Sequence, residues 1–589
     1  MERDPGDPRP PRARSALAVG GAGLGILFLV FVQMQVLNSP LHEVASGSTL
    51  RPERIPAARG VILDRHGSIL AETVPAYAVY LTADSRASAL ATLDRLVPHL
   101  DLDDDEIDRL AAGDWAGGRK LLVSADVPLE VAALLLERRA ELQDVQIETW
   151  PKRHYPAGRS AAHVVGVVGP PGVGDEQDGP GRKPLPRMVG RLGVERRYDE
   201  RLQGRDGMRY LEVDAEGVAT RSLDLPAAVP AVPGQELRLN LDLAIQRAVA
   251  EAIPEDERVA VVAFEAATGE VRVLYSSPSY DPVRLPAPVV QDGWPSVTED
   301  WYGSSNRAVE ARYPPGPAMK VVTAALALGL GLHDGETVMP VPCRGGMSYG
   351  DRYLRCSDSQ GHGLLDLGAA TSQNCHVYFY QLGLKIGPDN ILAAAGRLGL
   401  GRGTGVDLPD EALAVLPAAT STGNAGSAGS LSGTDAMRMA AGVGLVEVSP
   451  LEMAHLFAML VTDRPVPRPR LATHAPIELD DRVNLVISPA DRAWLRAALT
   501  REEQPSWQWS GVSGSTARAD VPVVEWWLGL ASPGDGAPEL VVAVVVEGGT
   551  GTTRSAELAG LVVELYREGF ADTRRAARSP FRSPVQPGT

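Results

Sequence analysis

The first feature of the hydrophobic pattern is an uncharged segment near the N-terminus. No Asp, Glu, Lys or Arg occurs from Ser15 to Val32, and the uncharged run continues to Leu41. About 20 apolar residues cross a bilayer as a helix, so the pattern predicts a transmembrane anchor at residues 15–37. Four arginines in residues 1–14 favour a cytoplasmic tail there, with the bulk of the chain outside the cytoplasmic membrane. A signal peptide cleaved near Ala45-Ser46-Gly47 is the alternative.

Beyond the anchor, two regions differ in their pattern. In residues 38–235, short strand-like runs alternate with polar turns, and helical stretches lie at about 87–98 and 128–142. At Glu236 a new unit begins with a strand, a helix and a second strand (LRLNL, LAIQRAVAEAI, VAVVAFEA). The second region therefore extends over residues 236–571, and the sequence predicts a mixed α/β, or α+β, multidomain protein.

Elements near the C-terminus complete this outline. Strands are predicted at 523–529 and 540–547, followed by a helix at about 555–567. The Gly- and Pro-rich residues 170–187 and the small residues 418–434 predict loops. The arginine-rich residues 572–589 predict a disordered basic tail.

Composition and charge exclude several functions. The 57 Lys and Arg against 74 Asp and Glu give a net charge of −17, which argues against a nucleic-acid partner. Three cysteines exclude a disulfide-rich scaffold and a multi-cysteine zinc ribbon. The ten histidines show no H-x-x-x-H spacing, so we expect no metal and no other cofactor.

Short motifs in both regions follow one order. In the first region they are Arg59-Gly60, Asp64-Arg65, Gly67, Leu70-Ala71, Tyr155-Pro156, Ala162-His163, Gly166, Gly193, Glu195, Tyr198, Leu202, Gly204 and Gly207. In the second they are Thr268-Gly269, Pro278-Ser279-Tyr280-Asp281-Pro282, Asn306-Arg307-Ala308, His362-Gly363, Tyr378-Phe379-Tyr380, Thr404-Gly405-Val406-Asp407-Leu408-Pro409 and Ser449-Pro450-Leu451-Glu452-Met453-Ala454. This order over residues 55–565 resembles the class B penicillin-binding proteins, the membrane-anchored transpeptidases of bacterial cell-wall synthesis.

The resemblance implies an architecture and partners. Residues 38–235 would form a mixed pedestal, or dimerisation-like, domain, and residues 236–571 a transpeptidase domain of the penicillin-binding-protein and β-lactamase type. The implied partners are a peptidoglycan stem peptide or lipid-linked precursor, the cytoplasmic membrane, and a polytopic glycan polymerase of the shape–elongation–division–sporulation type.

Family chemistry depends on the motifs S-x-x-K, S-x-N and K-T-G. In the first motif, Lys320 is retained but Pro317 stands at the nucleophile position. Proline has no hydroxyl to acylate, yet it is well tolerated in the first turn of a helix. The sequence therefore predicts a helix start that has lost its nucleophile.

The second motif has two registers. Counting back from Tyr378-Phe379-Tyr380 places Asn374-Cys375-His376 where Ser-x-Asn belongs. A shift by two residues offers Ser372-Gln373-Asn374, a formal match that needs a bulge in the following helix.

The third motif lies before the strand at 523–529. Ser515 stands for the family's lysine, Thr516 for its threonine and Ala517 for its glycine. Arg518 replaces a small residue and could obstruct the cleft.

These departures leave three hypotheses for function. The favoured one is a catalytically inactive scaffold or regulator within a cell-wall synthesis complex. The second is an active D,D-transpeptidase with a substitute nucleophile, for which Ser513, Ser515, Thr516 or Cys375 are candidates, with His376 as base. The third is a sensor that binds stem peptides or β-lactams without acylation.

The remaining cysteines have two interpretations. Cys343 and Cys356 flank a short segment of an exported domain, where a disulfide is expected. A pair of reduced thiols is the alternative, and in either case Cys375 is left over as a small core residue or free thiol.

Overall fold

The computed structural model gives the fold of most of the chain beyond residue 48. It describes residues 49–82, 85–100, 102, 107–108, 110, 120–169, 188–213, 219–223, 228–283, 305–332, 334–417, 431–479, 487–504, 507–518, 521–533, 539–549 and 553–578. The predicted anchor at 15–37 and the predicted loop at 170–187 lie outside these ranges. Within them, no helix is both long and apolar enough to cross a membrane.

The chain forms two compact units, and the first consists of Met1–Ala58 and Gly204–Pro233. Its described part is an antiparallel sheet of β1 (Thr49–Ile55), β8 (Gly207–Val213) and β9 (Ala219–Leu223), in the order β1-β8-β9. Asp206 fixes the end of β1, because it pairs with the Arg54 guanidinium at 2.8 Å and accepts the Ala57 amide at 2.7 Å.

The second unit consists of Arg59–Gln203 and Gly234–Thr589. Its strands are β2 (Ile62–Leu63), β3 (Ile69–Thr82), β4 (Lys120–Val127), β5 (Val145–His154), β6 (Val168–Gly169), β7 (Val189–Gly190), β10 (Leu237–Arg238), β11 (Val259–Glu265), β12 (Val271–Ser277), β13 (Gly346–Tyr349), β14 (Arg352–Arg355), β15 (Thr500–Gln504), β16 (Trp507–Arg518), β17 (Val521–Pro533) and β18 (Leu540–Glu547). Its α-helices are α1 (Arg86–Leu96), α2 (Leu129–Glu137), α3 (Ala162–Val165), α4 (Gly193–Arg197), α5 (Asp199–Leu202), α6 (Leu243–Ala252), α7 (Pro317–Gly329), α8 (Leu367–Ser372), α9 (His376–Ile386), α10 (Pro388–Arg397), α11 (Gly433–Ala441), α12 (Pro450–Val461), α13 (Pro489–Ala497) and α14 (Thr553–Arg578).

These elements confirm the predicted mixed α/β content. The predicted helices at 87–98 and 128–142 correspond to α1 and to the shorter α2, and the strand at 540–547 is β18. Helix α14 extends to Arg578, so the beginning of the predicted disordered tail is helical instead. Residues 579–589 of that tail lie outside the described ranges.

A buried charge cluster organises the part of this unit that precedes β10. Glu195 is fully buried and accepts Nε–H bonds from Arg59 at 2.6 Å and from Arg153 at 2.7 Å. Arg59 also pairs with Asp199 at 2.7 Å. A carboxylate buried in this way needs such partners, so Arg59 and Glu195 of the family signature have a structural role here.

The part that follows β10 is built on a six-stranded antiparallel sheet in the order β12-β11-β18-β17-β16-β15. Alternate residues of β18 enter two cores: Val542 and Val544 pack with α6 and α14, whereas Val541 and Val545 pack with α7 and α12. Burial on both faces explains why the sequence of β18 is a continuous apolar run.

Helix α7 lies on the second face of this sheet. Its residues from Pro317 to Ala327 are all buried, and it contacts α11, α12 and β16. A helix that is apolar on every side is suited to such a core position. The first turn of α7 is thereby held against β16.

Candidate functional site

Pro317, which the resemblance places at the nucleophile position, is the first residue of α7. Gly316 before it has φ 54° and ψ −127°, and its amide donates to the Gly442 carbonyl at 3.0 Å. Proline suits this position because its missing amide hydrogen would have no partner within the helix. The helix can therefore begin at Pro317 without strain, and its first residue carries no hydroxyl group.

Lys320 lies one turn further along α7 and is 1% exposed. Its Nζ donates to the Ala441 carbonyl at 3.0 Å. Burial lowers the pKa of Lys320 to about 7, because the charged amine loses its hydration. Residues three apart share a helix face, so the amine lies on the same side as Pro317.

The second motif forms the turn between α8 and α9. Asn374 has φ 54°, which Asn adopts more readily than most residues, and Cys375 is the N-cap of α9. The Asn374 Oδ1 atom is buried and has no hydrogen-bond partner among the described residues. By contrast, Ser372 is exposed and its hydroxyl donates to the Ala369 carbonyl at 3.2 Å. Asn374, which belongs to both registers, is therefore the second-motif residue that lies against Gly514.

Strand β16 contacts Pro317 and Asn374 at Gly514. A Cβ atom on Gly514 would lie 2.3 Å from Nδ2 of Asn374 and 3.3 Å from Cγ of Pro317. Side chains alternate along a strand, and Ser515 is half-buried on the opposite face, across from Glu525. Gly514, the residue before the third motif, therefore faces Pro317, and Ser515 lies on the opposite face of the strand.

Thr516 packs beside the start of α7. A Cβ atom on Gly316 would lie 2.7 Å from Cγ2 of Thr516, and the Trp526 indole donates to the Pro314 carbonyl at 2.9 Å. The side chains of Ala517 and Arg518 lie outside the described residues, so the predicted obstruction of the cleft by Arg518 stays a prediction.

The candidate base, His376, is buried below the site. It is 8% exposed, and its ring lies 6.0 Å from that of Tyr380. Burial and the nearby Lys320 amine lower the pKa of His376 to about 3. An imidazole that resists protonation to this degree is a weak general base at neutral pH.

The candidate substitute nucleophiles occupy different surroundings. The Thr516 hydroxyl is 3.4 Å from the Val524 carbonyl, to which it donates, and the Cys375 sulfur lies within 4.8 Å of the Cys356 sulfur. Ser513 is exposed and Ser515 is half-buried, and both lie on the strand face opposite Gly514. Of the four, Cys375 lies near enough to Lys320 to act on the pKa of its amine, whereas Ser513 and Ser515 lie on the strand face away from Gly514.

Three cysteines and one histidine meet beside the second motif. The sulfurs of Cys343, Cys356 and Cys375 and a ring nitrogen of His362 lie within 4.8 Å of one another. His362 Nδ1 is 3.5 Å from the sulfurs of both Cys343 and Cys356. Cys343 and Cys375 are buried, and the other two residues are half-buried.

This donor set fits a zinc ion. Four ligands at about 2.3 Å from a central ion lie about 3.8 Å apart in a tetrahedron, and three thiolates with one imidazole form a common structural zinc site. The observed separations of at most 4.8 Å agree with that arrangement. Cys343, Cys356, His362 and Cys375 could hold the ion together.

One of the two expectations about these residues needs correction. The predicted disulfide between Cys343 and Cys356 is absent, since all three cysteines are free thiols. The expectation of no metal rested only on the spacing between histidines and stays a prediction, whereas this set combines distant cysteines with one histidine. The spacing C-x12-C-x5-H-x12-C was the available signal in the sequence.

Two family models match the chain. One is the penicillin-binding protein dimerisation domain, at residues 54–239, and the other is the penicillin-binding protein transpeptidase domain, at residues 259–564. The peptidoglycan D,D-transpeptidase MrdA of Acinetobacter baumannii is 29% identical over 415 residues. That alignment covers 69% of this chain and 61% of the relative, so it spans less than two thirds of the relative's length.

Solved structures share the fold. The complex between penicillin-binding protein PBP2 and MreC from Helicobacter pylori has a TM-score of 0.73 at 23% identity, and it covers 89% of this chain and 100% of that chain. A peptidoglycan synthase complex that coordinates polymerization and crosslinking has a TM-score of 0.68 at 25% identity, covering 94% and 97%. The transpeptidase-domain match alone extends over more than half of the 589 residues. The chain belongs to the class B penicillin-binding proteins.

Proposed function

We propose that this chain is a catalytically inactive, membrane-anchored scaffold or regulator of peptidoglycan synthesis. The observation that carries the proposal is Pro317 at the first turn of α7, packed against Gly514. The proline side chain has no oxygen or sulfur atom, so the retained Lys320 has no nucleophile to activate at this position.

The expected loss of activity is large. In a serine hydrolase, removal of the nucleophile costs about 10⁶ in kcat, or roughly 8 kcal/mol of activation free energy. Neither Lys320, with its pKa of about 7, nor the weakly basic His376 replaces the missing nucleophile. A substitute nucleophile would need a new arrangement of Ser513, Ser515, Thr516 or Cys375.

The proposed partners come from the family. The related PBP2 is seen with MreC, and the related synthase complex couples polymerization to crosslinking. We propose that this chain binds a polytopic glycan polymerase through its anchor and pedestal, with a single N-terminal span and its bulk outside the cytoplasmic membrane. Such a role needs the fold and not the acyl transfer.

Strand β16 favours a second candidate, a non-covalent sensor. Strand β15 pairs with β16 only over Trp507–Gly511, and no other described residue pairs with 512–518 on that side. An open strand edge can accept an extended peptide by adding a strand. Titration of the folded chain with a stem pentapeptide tests this candidate, since saturable binding supports it and the absence of binding at millimolar peptide removes it.

We also propose a structural metal site at Cys343, Cys356, His362 and Cys375. A zinc ion there would tie the β13–β14 hairpin to the start of α9, because Cys356 follows β14 and Cys375 caps α9. Cys375 itself follows Asn374, so the ion would support the second-motif turn.

Labelling with a fluorescent penicillin tests the proposed inactivity. The full chain in detergent should show no label that survives denaturation, whereas an active class B protein treated in parallel should be labelled stoichiometrically. A stoichiometric covalent label on any residue would establish a substitute nucleophile and contradict the proposal. Co-purification of the full chain with membrane partners, identified by mass spectrometry, tests the scaffold role separately.

A further inference from the structure

Three of the four residues in the cluster beside the second motif are cysteines, so the cluster can undergo thiol chemistry as well as bind a metal ion. Its three sulfurs lie within 4.8 Å of one another, and Cys356 is accessible to solvent while Cys343 and Cys375 are buried. Neighbouring thiols can be oxidised to a disulfide when one of them is accessible to solvent. A bound metal ion would prevent this oxidation, because it holds the sulfurs as ligands.

The contacts of Cys356 indicate which pair of cysteines is best placed to form a disulfide. Its sulfur accepts a hydrogen bond from the His376 amide at 3.3 Å, and the Cys375 sulfur lies within 4.8 Å of it. The Ser357 hydroxyl donates to the Asn374 carbonyl at 2.9 Å. The two segments that carry Cys356 and Cys375 therefore lie side by side, as a disulfide requires.

Cys343 is held differently. Its backbone amide and carbonyl both pair with Gly363, at 2.7 Å and 2.9 Å, and its sulfur lies 3.5 Å from His362. The backbone of Cys343 is thus fixed to Gly363, beside His362, while its sulfur lies within 4.8 Å of the other two sulfurs.

We propose that Cys356 and Cys375 form a reversible disulfide whose formation releases the metal, so that the site has two mutually exclusive states. This inference rests on the metal site put forward under the proposed function. In the reduced state, the ion joins the hairpin, His362 and the start of α9. In the oxidised state, a covalent bond joins Cys356 directly to Cys375, the residue next to Asn374.

The chemistry is thiol–disulfide exchange with a small-molecule disulfide as oxidant. The accessible Cys356 thiolate attacks one sulfur of the oxidant, which forms a mixed disulfide and expels one thiolate. The Cys375 thiolate then attacks the Cys356 sulfur, forms the internal disulfide and expels the second thiolate. Two protein thiolates are oxidised, one external disulfide is reduced to two thiols, and the metal cation leaves after losing two of its four ligands.

Oxidised glutathione and the zinc-loaded full chain in detergent provide the test. Zinc content is measured first on the reduced chain, and a dye for free zinc and peptide mapping by mass spectrometry then follow the oxidation. We expect one Cys356–Cys375 disulfide per chain, release of one zinc ion for each disulfide formed, and reversal by dithiothreitol with added zinc.

Two variants separate the roles of the thiols. Cys343→Ser retains the reacting pair and should form the same disulfide. Cys375→Ser lacks the second thiol, so Cys356 should accumulate as a mixed disulfide with glutathione. His362→Ala removes a metal ligand and no thiol, so it should form the internal disulfide faster than the zinc-loaded parent.

Each contrary result has a defined meaning. A disulfide that forms without zinc release, a Cys343–Cys356 disulfide as the main product, or no internal disulfide at all would overturn the inference. A reduced chain that holds no zinc before oxidation would refute the metal site, and with it the two exclusive states. The zinc measurement made before oxidant is added distinguishes that failure from a failure of the thiol chemistry alone.

Discussion

Gly514 lies directly against Pro317: a Cβ atom on the glycine would be 3.3 Å from Cγ of the proline. The same Cβ would be 2.3 Å from Nδ2 of Asn374, so a side chain cannot be added at 514 without moving the asparagine. Gly514 therefore packs against one residue of the first motif and one of the second. This packing bears on whether one substitution can recover the chemistry.

Restoring the serine alone should fail. We expect Pro317→Ser to be acylated by a β-lactam at least about 10²-fold more slowly than an active family member, because positioned proton transfer contributes about 10²–10⁴ and Gly514 and Asn374 supply none. The rate of labelling by a fluorescent penicillin measures this, with Pro317→Ala as the matched control. A rate close to that of an active member would mean that the remaining site is intact.

Rebuilding the group should do better than repairing one member. In Pro317→Ser combined with Asn374→Ser and Gly514→Lys, the shorter residue at 374 makes room for the lysine. We expect this triple variant to be acylated faster than Pro317→Ser, because catalytic residues that act as a unit are strongly non-additive. If the lysine placed at 515 instead gives the larger gain, our assignment of Gly514 as the facing residue is wrong.

The buried amine of Lys320 should make stability depend on pH. Its pKa is about 7 when folded, against an ordinary 10.5, so the unfolded chain binds more protons between those values. The free energy of unfolding should therefore rise from pH 7 toward pH 10, at up to about 1.4 kcal/mol per pH unit, relative to Lys320→Met.

Urea unfolding of both proteins at several pH values between 7 and 9.5 measures this difference. Other titrating groups are common to both proteins and cancel in the comparison. A constant difference over this range would show that Lys320 keeps its ordinary pKa in the folded chain.

Some features could be predicted from the sequence because one physical cause dominates them. The apolar run of β18 is buried on both faces, and the apolar turns of α7 follow a proline that starts a helix. Others depend on a single residue of register. The face of β16 that meets Pro317 is such a case: Gly514 faces the proline and Ser515 lies on the other side, because a shift of one residue along a strand exchanges its two faces.

The cluster of three cysteines and one histidine could not be recognised for another reason. Its four residues are spread from Cys343 to Cys375, and the β13–β14 hairpin and the turn at Asn374 bring them together. Spacing along a chain reveals a site when the ligands share one helix or turn, and these do not. The positive φ of Asn374 likewise follows from tertiary packing rather than from a glycine at the end of α8.

Zinc removal should destabilise the chain. Binding of an ion to the folded state alone adds on the order of 3 kcal/mol when the ion is a hundredfold above its Kd. We expect the purified chain to hold about one zinc ion, and we expect chelation or His362→Ala to lower its thermal midpoint. His154→Ala, whose side chain is 48% exposed, is the control and should keep both zinc and stability. Equal zinc content in His362→Ala and the parent would contradict the proposed ligand set.

The start of α7 offers a final test through two glycines that follow helices. Gly442, with φ 74°, and Gly331, with φ 64°, both have a backbone that disfavours a side chain, so alanine should cost roughly 1 kcal/mol at each for that reason. A Cβ at Gly331 would meet no atom within 4 Å, whereas a Cβ at Gly442 would lie 2.1 Å from the Gly316 carbonyl oxygen. The Gly442→Ala variant must therefore displace the turn that presents Pro317, and we expect it to lose roughly 1–3 kcal/mol more than Gly331→Ala. Urea unfolding of the two variants measures the difference directly. Equal losses would show that the turn before Pro317 yields easily and that α7 is not held by its contact with α11.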